Sequence, residues 1–190
     1  MNKKIICKLK NECEIYTGNS ISDSEKDNYI DSNNANPYIS TKDINVDTHQ
    51  ISYYNDMFVK KENKKFKIAP KNSILLCIEG GSAGRKIAIT NQDVAFVNKL
   101  CCINSKKKNN KYYYYYFQCD KFLQDFNLNL SGLIGGVSIS KLSNLKIISY
   151  NIETQNKIVY YLDKKCSKID KIIEDNRKQI KLLKIPLLTN

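Results

Sequence analysis

Residues 152–184 read IETQNKIVYYLDKKCSKIDKIIEDNRKQIKLLK. Within them Val159, Leu162, Cys166, Ile169, Ile173, Asn176, Ile180 and Leu183 follow one another in alternating steps of three and four. This is the a/d pattern of a heptad repeat, which keeps one narrow apolar stripe on one side of a helix. A helix over this stretch is roughly 50 Å long at 1.5 Å per residue. So narrow a stripe suits a second helix better than a globular core. Asn176 is the polar residue expected to fix register there, at some cost in stability.

Upstream, residues 1–150 carry turn signals and short apolar runs, the makings of one compact domain, with residues 151–190 as its appendage. A chain of 190 residues buries one good core but hardly two full domains. Residues 20–36, SISDSEKDNYIDSNNAN, are polar and aperiodic and read as a loop. Pro37 to Ser40 begins an extended piece, from which Thr41-Lys42-Asp43 turns away. Pro70-Lys71-Asn72 leads into Ser73 to Ile78, an apolar run of buried-strand length. A glycine loop follows, Gly80 to Arg85, and then two β-rich runs, Lys86 to Thr90 and Ala95 to Ile103. A helix is predicted from about Tyr112 to Asn127, and a helical turn capped by Ser140 within Ser138 to Leu145. Lys146 to Ser149 reads as a last strand. The expected fold class is α+β, a mixed domain of short strands and few helices followed by a long coiled-coil helix.

The formal charge is +12, from 31 basic and 19 acidic side chains. Residues 1–150 hold 22 and 14 of them, an excess of +8. An excess on this scale favours polyanions, nucleic acid first among them. Arginine occurs only at Arg85 and Arg177 beside abundant Lys, Asn and Ile, a usage that AT-rich coding also produces. Charge alone therefore leaves both readings open. No segment reaches the 18 or so apolar residues that cross a bilayer, and the N-terminus lacks an apolar run of signal-peptide length. The seven cysteines include no C-x-x-C pair, and His49 is the single histidine. They read as reduced thiols serving as small apolar residues, in a cytoplasmic protein without a metal or other cofactor.

Among the motifs, the glycine loop offers close backbone approach to phosphate. It lacks the Gly-Lys-Ser/Thr ending and the G-x-G-x-x-G spacing of nucleotide sites. A strand-connecting loop that presents Gly81, Ser82, Gly84, Arg85 and Lys86 to DNA suits the residues better. Arginine is the best reader of guanine edges, although an ordinary surface arginine would look the same in sequence. Two basic blocks surround it in the chain, Lys60, Lys61, Lys64, Lys65, Lys67 and Lys71, and Lys106, Lys107, Lys108 and Lys111. Each lysine on a phosphate would make affinity fall with salt, and a solvated loop is the plain alternative. Tyr112 to Tyr116 could stack on bases, but consecutive residues point all round a helix, which favours packing with hydroxyls reaching water. With prolines only at 37, 70 and 186, the Pro-Pro-aromatic motif of amino-methyltransferases is absent. Nuclease, ATPase and Ser/His/Asp constellations are not recognisable either, and no catalysis is expected.

The order of these features resembles the specificity subunit of type I restriction-modification systems. Tyr38 to Ile44 is similar to the family's early extended element ending in Asp-Ile. Pro70 to Leu76 resembles its Pro-x-Gly-x-hydrophobic entry into a strand, and the loop Gly80 to Gly84 follows. Leu133 to Ile139, with Leu142 and Leu145, looks like the turn that closes a recognition domain. Gln155 to Ile158, Leu162-Asp163, Ile169-Asp170 and Ile180 to Leu183 resemble the start and heptads of the conserved helix. The chain departs where the family usually has a proline pair and Glu-Gln before the helix, since Ser149 to Gln155 stand there, and Asn72 stands where glycine is common. The likeness spans one recognition domain and one helix, half of a usual subunit.

The resemblance implies a non-catalytic reader of double-stranded DNA. In that family two recognition domains lie at opposite ends of antiparallel helices, and methyltransferase and restriction subunits join them. A half-subunit reproduces this arrangement by pairing with itself, or with a second half-subunit, through the stripe from Val159 to Leu183. The DNA-contacting candidates are Thr41, Lys42, Lys60, Lys61, Lys64, Gly81, Ser82, Gly84, Arg85, Lys86 and Ser138. Two alternatives stay open in the sequence: a coiled-coil interaction protein with an incidental basic surface, and a truncated, inactive remnant of a specificity subunit.

Overall fold

The computed structural model describes residues 4–107, 109–132 and 135–184. Lys108 of the second basic block, Leu133 and Ile134 of the closing turn, and residues 185–190 lie outside that description. In chain order the elements begin with β1 (Ile5–Lys8), α1 (Leu9–Glu12), β2 (Cys13–Thr17), β3 (Ala35–Ile39), β4 (Phe58–Lys60) and β5 (Ile68–Ala69). They continue through β6 (Ile74–Cys77), β7 (Ile87–Ile89), β8 (Val94–Phe96) and β9 (Leu100–Ser105). Last come α2 (Asn110–Tyr116), α3 (Asp120–Asn127), α4 (Ile139–Asn144), β10 (Lys146–Ser149) and α5 (Ile152–Lys184).

The central sheet has the order β2-β9-β6-β7, all antiparallel. Its inner strands are apolar on both faces because both faces are covered. Ile74 and Leu76 of β6 and Cys101 and Ile103 of β9 point into one core, shared with Tyr113, Phe117, Phe122 and Phe126 of the helical layer. Leu75, Cys77, Leu100 and Cys102 point the other way, into a second core with Ile39, Ile44, Val94 and Phe96. Four of the cysteines thus serve as small core residues, two on each side.

The second core is closed by a smaller sheet of order β4-β3-β8-β5, in which β3 and β8 run parallel. A two-residue ladder end is enough to seat β5, since Tyr16 reaches over and donates its hydroxyl to the Ile68 carbonyl at 2.8 Å. At the opposite side β1 pairs with β10, Ile5 facing Ser149 and Lys8 facing Lys146. That ribbon joins the first described strand to the strand that leads into α5.

Several local expectations change. The loop of residues 20–36 contains a 3-10 helix, Asp23–Tyr29, with no buried residue, and its end already belongs to β3. The run Ala95 to Ile103 divides into β8 and β9 because Val97 to Lys99 turn the chain. The helix expected over Tyr112 to Asn127 breaks into α2 and α3 at Phe117–Cys119, where Phe117 packs on Phe122 with ring centroids 4.6 Å apart. The cap of α4 is Ser138 rather than Ser140: the Ser138 hydroxyl accepts from the Lys141 amide at 3.3 Å. Asn151 caps α5, its side chain accepting from the Thr154 amide at 2.8 Å.

Candidate functional site

Two features concern function: the loops that carry the candidate DNA contacts, and the joint from which α5 leaves the domain. The loop between β6 and β7 is wound tightly. Ala83 donates to Gly80, Gly84 to Cys77, and Arg85 and Lys86 both to the Ser82 carbonyl, at 2.8–3.2 Å. Gly80 donates to the Gly135 carbonyl at 2.8 Å. With these amides turned inward the loop makes no phosphate cradle of the kind a nucleotide site needs. Gly84 is obligatory, since its φ is +74° and a Cβ there would stand 2.9 Å from the Phe126 ring.

What the loop presents outward is side chains. Arg85 is exposed, and among the described residues no ion pair or hydrogen bond holds its guanidinium. Ser82 is half-exposed beside it. Lys86 is tied instead, donating from Nζ to the Thr41 carbonyl at 2.6 Å. That bond brings Thr41 and Lys42 to the glycine loop. Lys42 is exposed, yet the hollow it borders is also lined by Asp23, Asp27, Asp43 and Asp56, carboxylates that disfavour a phosphate there. Ser40 and Asp43 close the turn on itself through a capping box.

Ser138 reaches the same neighbourhood through Val137, whose amide donates to Ile78 at 2.9 Å, and through the bridge between Glu79 and Gly136. It lines a groove of about 610 Å³ with Thr17, Glu79, Asn98 and Ser131. Lys60, Lys61 and Lys64 do not join this group. Lys60 faces Ala35, at the start of β3, whereas Thr41 follows its end. Lys60 Nζ is held by Asp31 at 2.5 Å and by the Asn33 carbonyl at 2.7 Å. Lys61 and Lys64 are exposed and, among the described residues, unpaired. Thr41 and Lys42 thus adjoin the loop of Gly81, Ser82, Gly84, Arg85 and Lys86, Ser138 lies beside the strand end at Glu79 that enters that loop, and Lys60, Lys61 and Lys64 sit on a separate lysine-rich turn.

The joint is built by the tyrosine run. Tyr112 and Tyr113 are buried, and the hydroxyls of Tyr112, Tyr113, Tyr115 and Tyr116 bond to protein rather than reaching water. Tyr112 donates to Ile148 at 2.9 Å, Tyr116 accepts from the Ile148 amide at 3.0 Å, and Tyr113 donates to Glu12 at 3.0 Å. Tyr115 donates to Asp163 of α5 at 2.6 Å, and Lys111 reaches the other oxygen at 2.7 Å. Burial raises the Asp163 pKa, but these two donors outweigh it and hold the carboxyl below its ordinary range. Asn109 donates to Asn156 at 2.9 Å. Gln155 is fully buried and donates to the Tyr150 carbonyl at 3.0 Å. Sequence reasoning missed this clamp, although the signal was present: five tyrosines on a short helix and an acid flanking the heptad stripe.

The clamp divides the stripe. Val159, Leu162 and Cys166 are half-covered, and Val159 packs against the helical-side core. From Ile169 onward every residue up to Leu183 is exposed: Ile169 at 55%, Ile173 at 42%, Ile180 at 53% and Leu183 at 72%.

Fold and joint together define a class: a mixed α+β domain of two sheets that hands its chain to one projecting heptad helix. The sequence profile of the type I restriction modification DNA specificity domain matches residues 4–184, and the chain belongs to that family. Similar solved folds agree. A chain from a structure of complex assembly and conformational transition of the type I R-M system has a TM-score of 0.74 and 17% identity, over 95% of this chain and 43% of that one. The type I restriction-modification S subunit from M. genitalium gives 0.62 and 18%, over 93% and 43%. The HsdS subunit from Thermoanaerobacter tengcongensis gives 0.68 and 17%, over 90% and 39%. This chain spans less than half the length of each, and at such identities the likeness concerns the fold. No curated protein matches the sequence. Among the described residues no helix is long and apolar enough to cross a membrane.

Proposed function

We propose that this chain is a cytoplasmic, non-catalytic DNA-reading subunit of a type I restriction-modification system. It works as a half-subunit that pairs through α5 and places two recognition domains on one duplex. Methyltransferase subunits, and a restriction subunit where cleavage follows, supply the chemistry. One observation carries this reading above the others: α5 is fastened at its first turns and bare over the rest of its stripe. A helix with that division is a fixed arm with a sticky far half, suited to setting a distance.

The cluster around the glycine loop supplies the groove contacts, with Arg85 as base reader and Ser82, Ser138 and Lys42 beside it. Lys61 and Lys64 act as phosphate positioners. Phosphate contacts fix register, and base-edge contacts specify sequence. Lys60 and Lys86 contribute by holding loops in place, their amines being engaged within the chain.

Gel shifts on random-sequence duplexes at two salt concentrations test the DNA-binding part. Affinity should fall steeply with salt, by about 0.9 decades per decade of salt for each phosphate contacted. Absence of a shift at low salt would instead favour a coiled-coil interaction protein whose basic surface is incidental.

A further inference from the structure

We infer that two copies of α5 pack antiparallel in one register, with the two-fold axis between Glu174 and Asp175 and with Asp170 of each copy against the partner's Arg177. The inference rests on the proposed pairing through the stripe and specifies its geometry.

In an antiparallel helix pair each a residue faces a d residue of the partner, so paired residue numbers add to a constant. Three registers, one heptad apart, overlap enough of the open stripe to be considered. Charges beside the stripe choose among them, because residues just outside an a/d seam set orientation and partner. In this chain the flanking position after each d residue from Ile169 onward holds Asp170, Arg177 and Lys184, and each neighbouring register opposes two like charges at its axis. In one register Asp170 meets the partner's Asp170. In another Arg177 meets the partner's Arg177. Only the register between them sets Asp170 against the partner's Arg177, twice by symmetry.

That register also uses the exposed stripe fully. Ile169 faces the partner's Ile180, Cys166 the partner's Leu183, and Ile173 the partner's Asn176. The two Asn176 side chains then lie in adjacent layers about the axis, roughly 4.5 Å apart along it at 1.5 Å per residue, close enough to satisfy each other. Within one chain both charges are waiting. Glu174 pairs with Lys178, and Glu153 with Lys157. Among the described residues neither Asp170 nor Arg177 has an ion-pair partner. Both line a cleft of about 480 Å³ between α5 and two parts of its own domain, the turn at Thr48 and His49 and the α2 region at Tyr114 and Gln118. A parallel pair also finds an opposite charge for Asp170, the partner's Lys165, so flanking charge alone does not decide orientation; the charge of the domains does. A parallel pair would crowd two domains, each with its +8 excess, at the same end.

Disulfide trapping in the full-length chain tests the register. Leu183→Cys should form covalent dimers with native Cys166 under mild oxidation, located by peptide mapping, and Cys166→Ser in that background should abolish the link. Asn176→Cys should not link to Cys166. If Asn176→Cys links and Leu183→Cys does not, the neighbouring register is correct and the inference falls, with pairing itself intact. Charge exchange gives a second reading. Asp170→Arg and Arg177→Asp should each weaken self-association about tenfold or more, since like charges are brought together at an interface. A mixture of the two should recover the wild-type dimer. A wild-type chain that stays monomeric in light scattering overturns the pairing as well as the register.

Discussion

Arg85 and Asp163 show what single side chains contribute. Arg85 stands on a loop whose turns are locked from inside, so its guanidinium has a fixed base and a free end. Arg85→Ala should weaken cognate binding by about 1–3 kcal/mol while leaving random duplexes much less affected. An equal loss on both, in parallel titrations, would make it a phosphate contact. Asp163 joins the domain to α5. Its folded-state pKa lies below the ordinary value, because Lys111 and Tyr115 outweigh the opposing effect of burial. A depressed carboxylate stabilises the fold above its unfolded pKa, and the contribution fades as pH falls through the folded one. Asp163→Asn should therefore cost about 1 kcal/mol at neutral pH, the modest figure reflecting a partly exposed pair. The gap to wild type in denaturant unfolding should shrink below about pH 4. A gap that persists unchanged in acid would assign the loss to packing instead.

Among the elements, α5 is the one on which the proposed pairing rests. A charge placed in the open stripe, as in Ile173→Asp, should yield monomers without loss of helical signal in the domain. Light scattering that still reports dimers would reject the stripe as the interface. This helix was legible because its heptads repeat within the sequence itself, with no need of the rest of the chain. The apolar runs of β6 and β9 were legible for a related reason, being buried on both faces. Asn72, read as a departure from a common glycine, has φ +70°, so the left-handed turn is kept with the non-glycine residue that best tolerates it. The rest depended on distant partners. The break at Phe117–Cys119 has no glycine or proline to announce it and comes from aromatic packing. Pairing of β1 with β10 joins residues from the two ends of the domain. The assignments of Lys60 to Asp31 and Lys86 to Thr41 span 29 and 45 residues, and no local pattern separates such tethered lysines from free ones.

For the whole molecule, the arrangement is a domain carrying most of the positive charge, fastened by hydrogen bonds to a helix that is exposed from Ile169 to Leu183. In the proposed pairing, two such helices would hold their domains a set distance apart. The symmetry of the proposed pair would then be imposed on the duplex, since a two-fold dimer reads two half-sites of opposite sense. Selection of bound duplexes from a random pool by the full chain, with methyltransferase subunits present, tests this most directly. The account predicts an inverted repeat whose halves are separated by a constant unread spacer. A single motif without a repeat, or no enrichment over the starting pool, would contradict it.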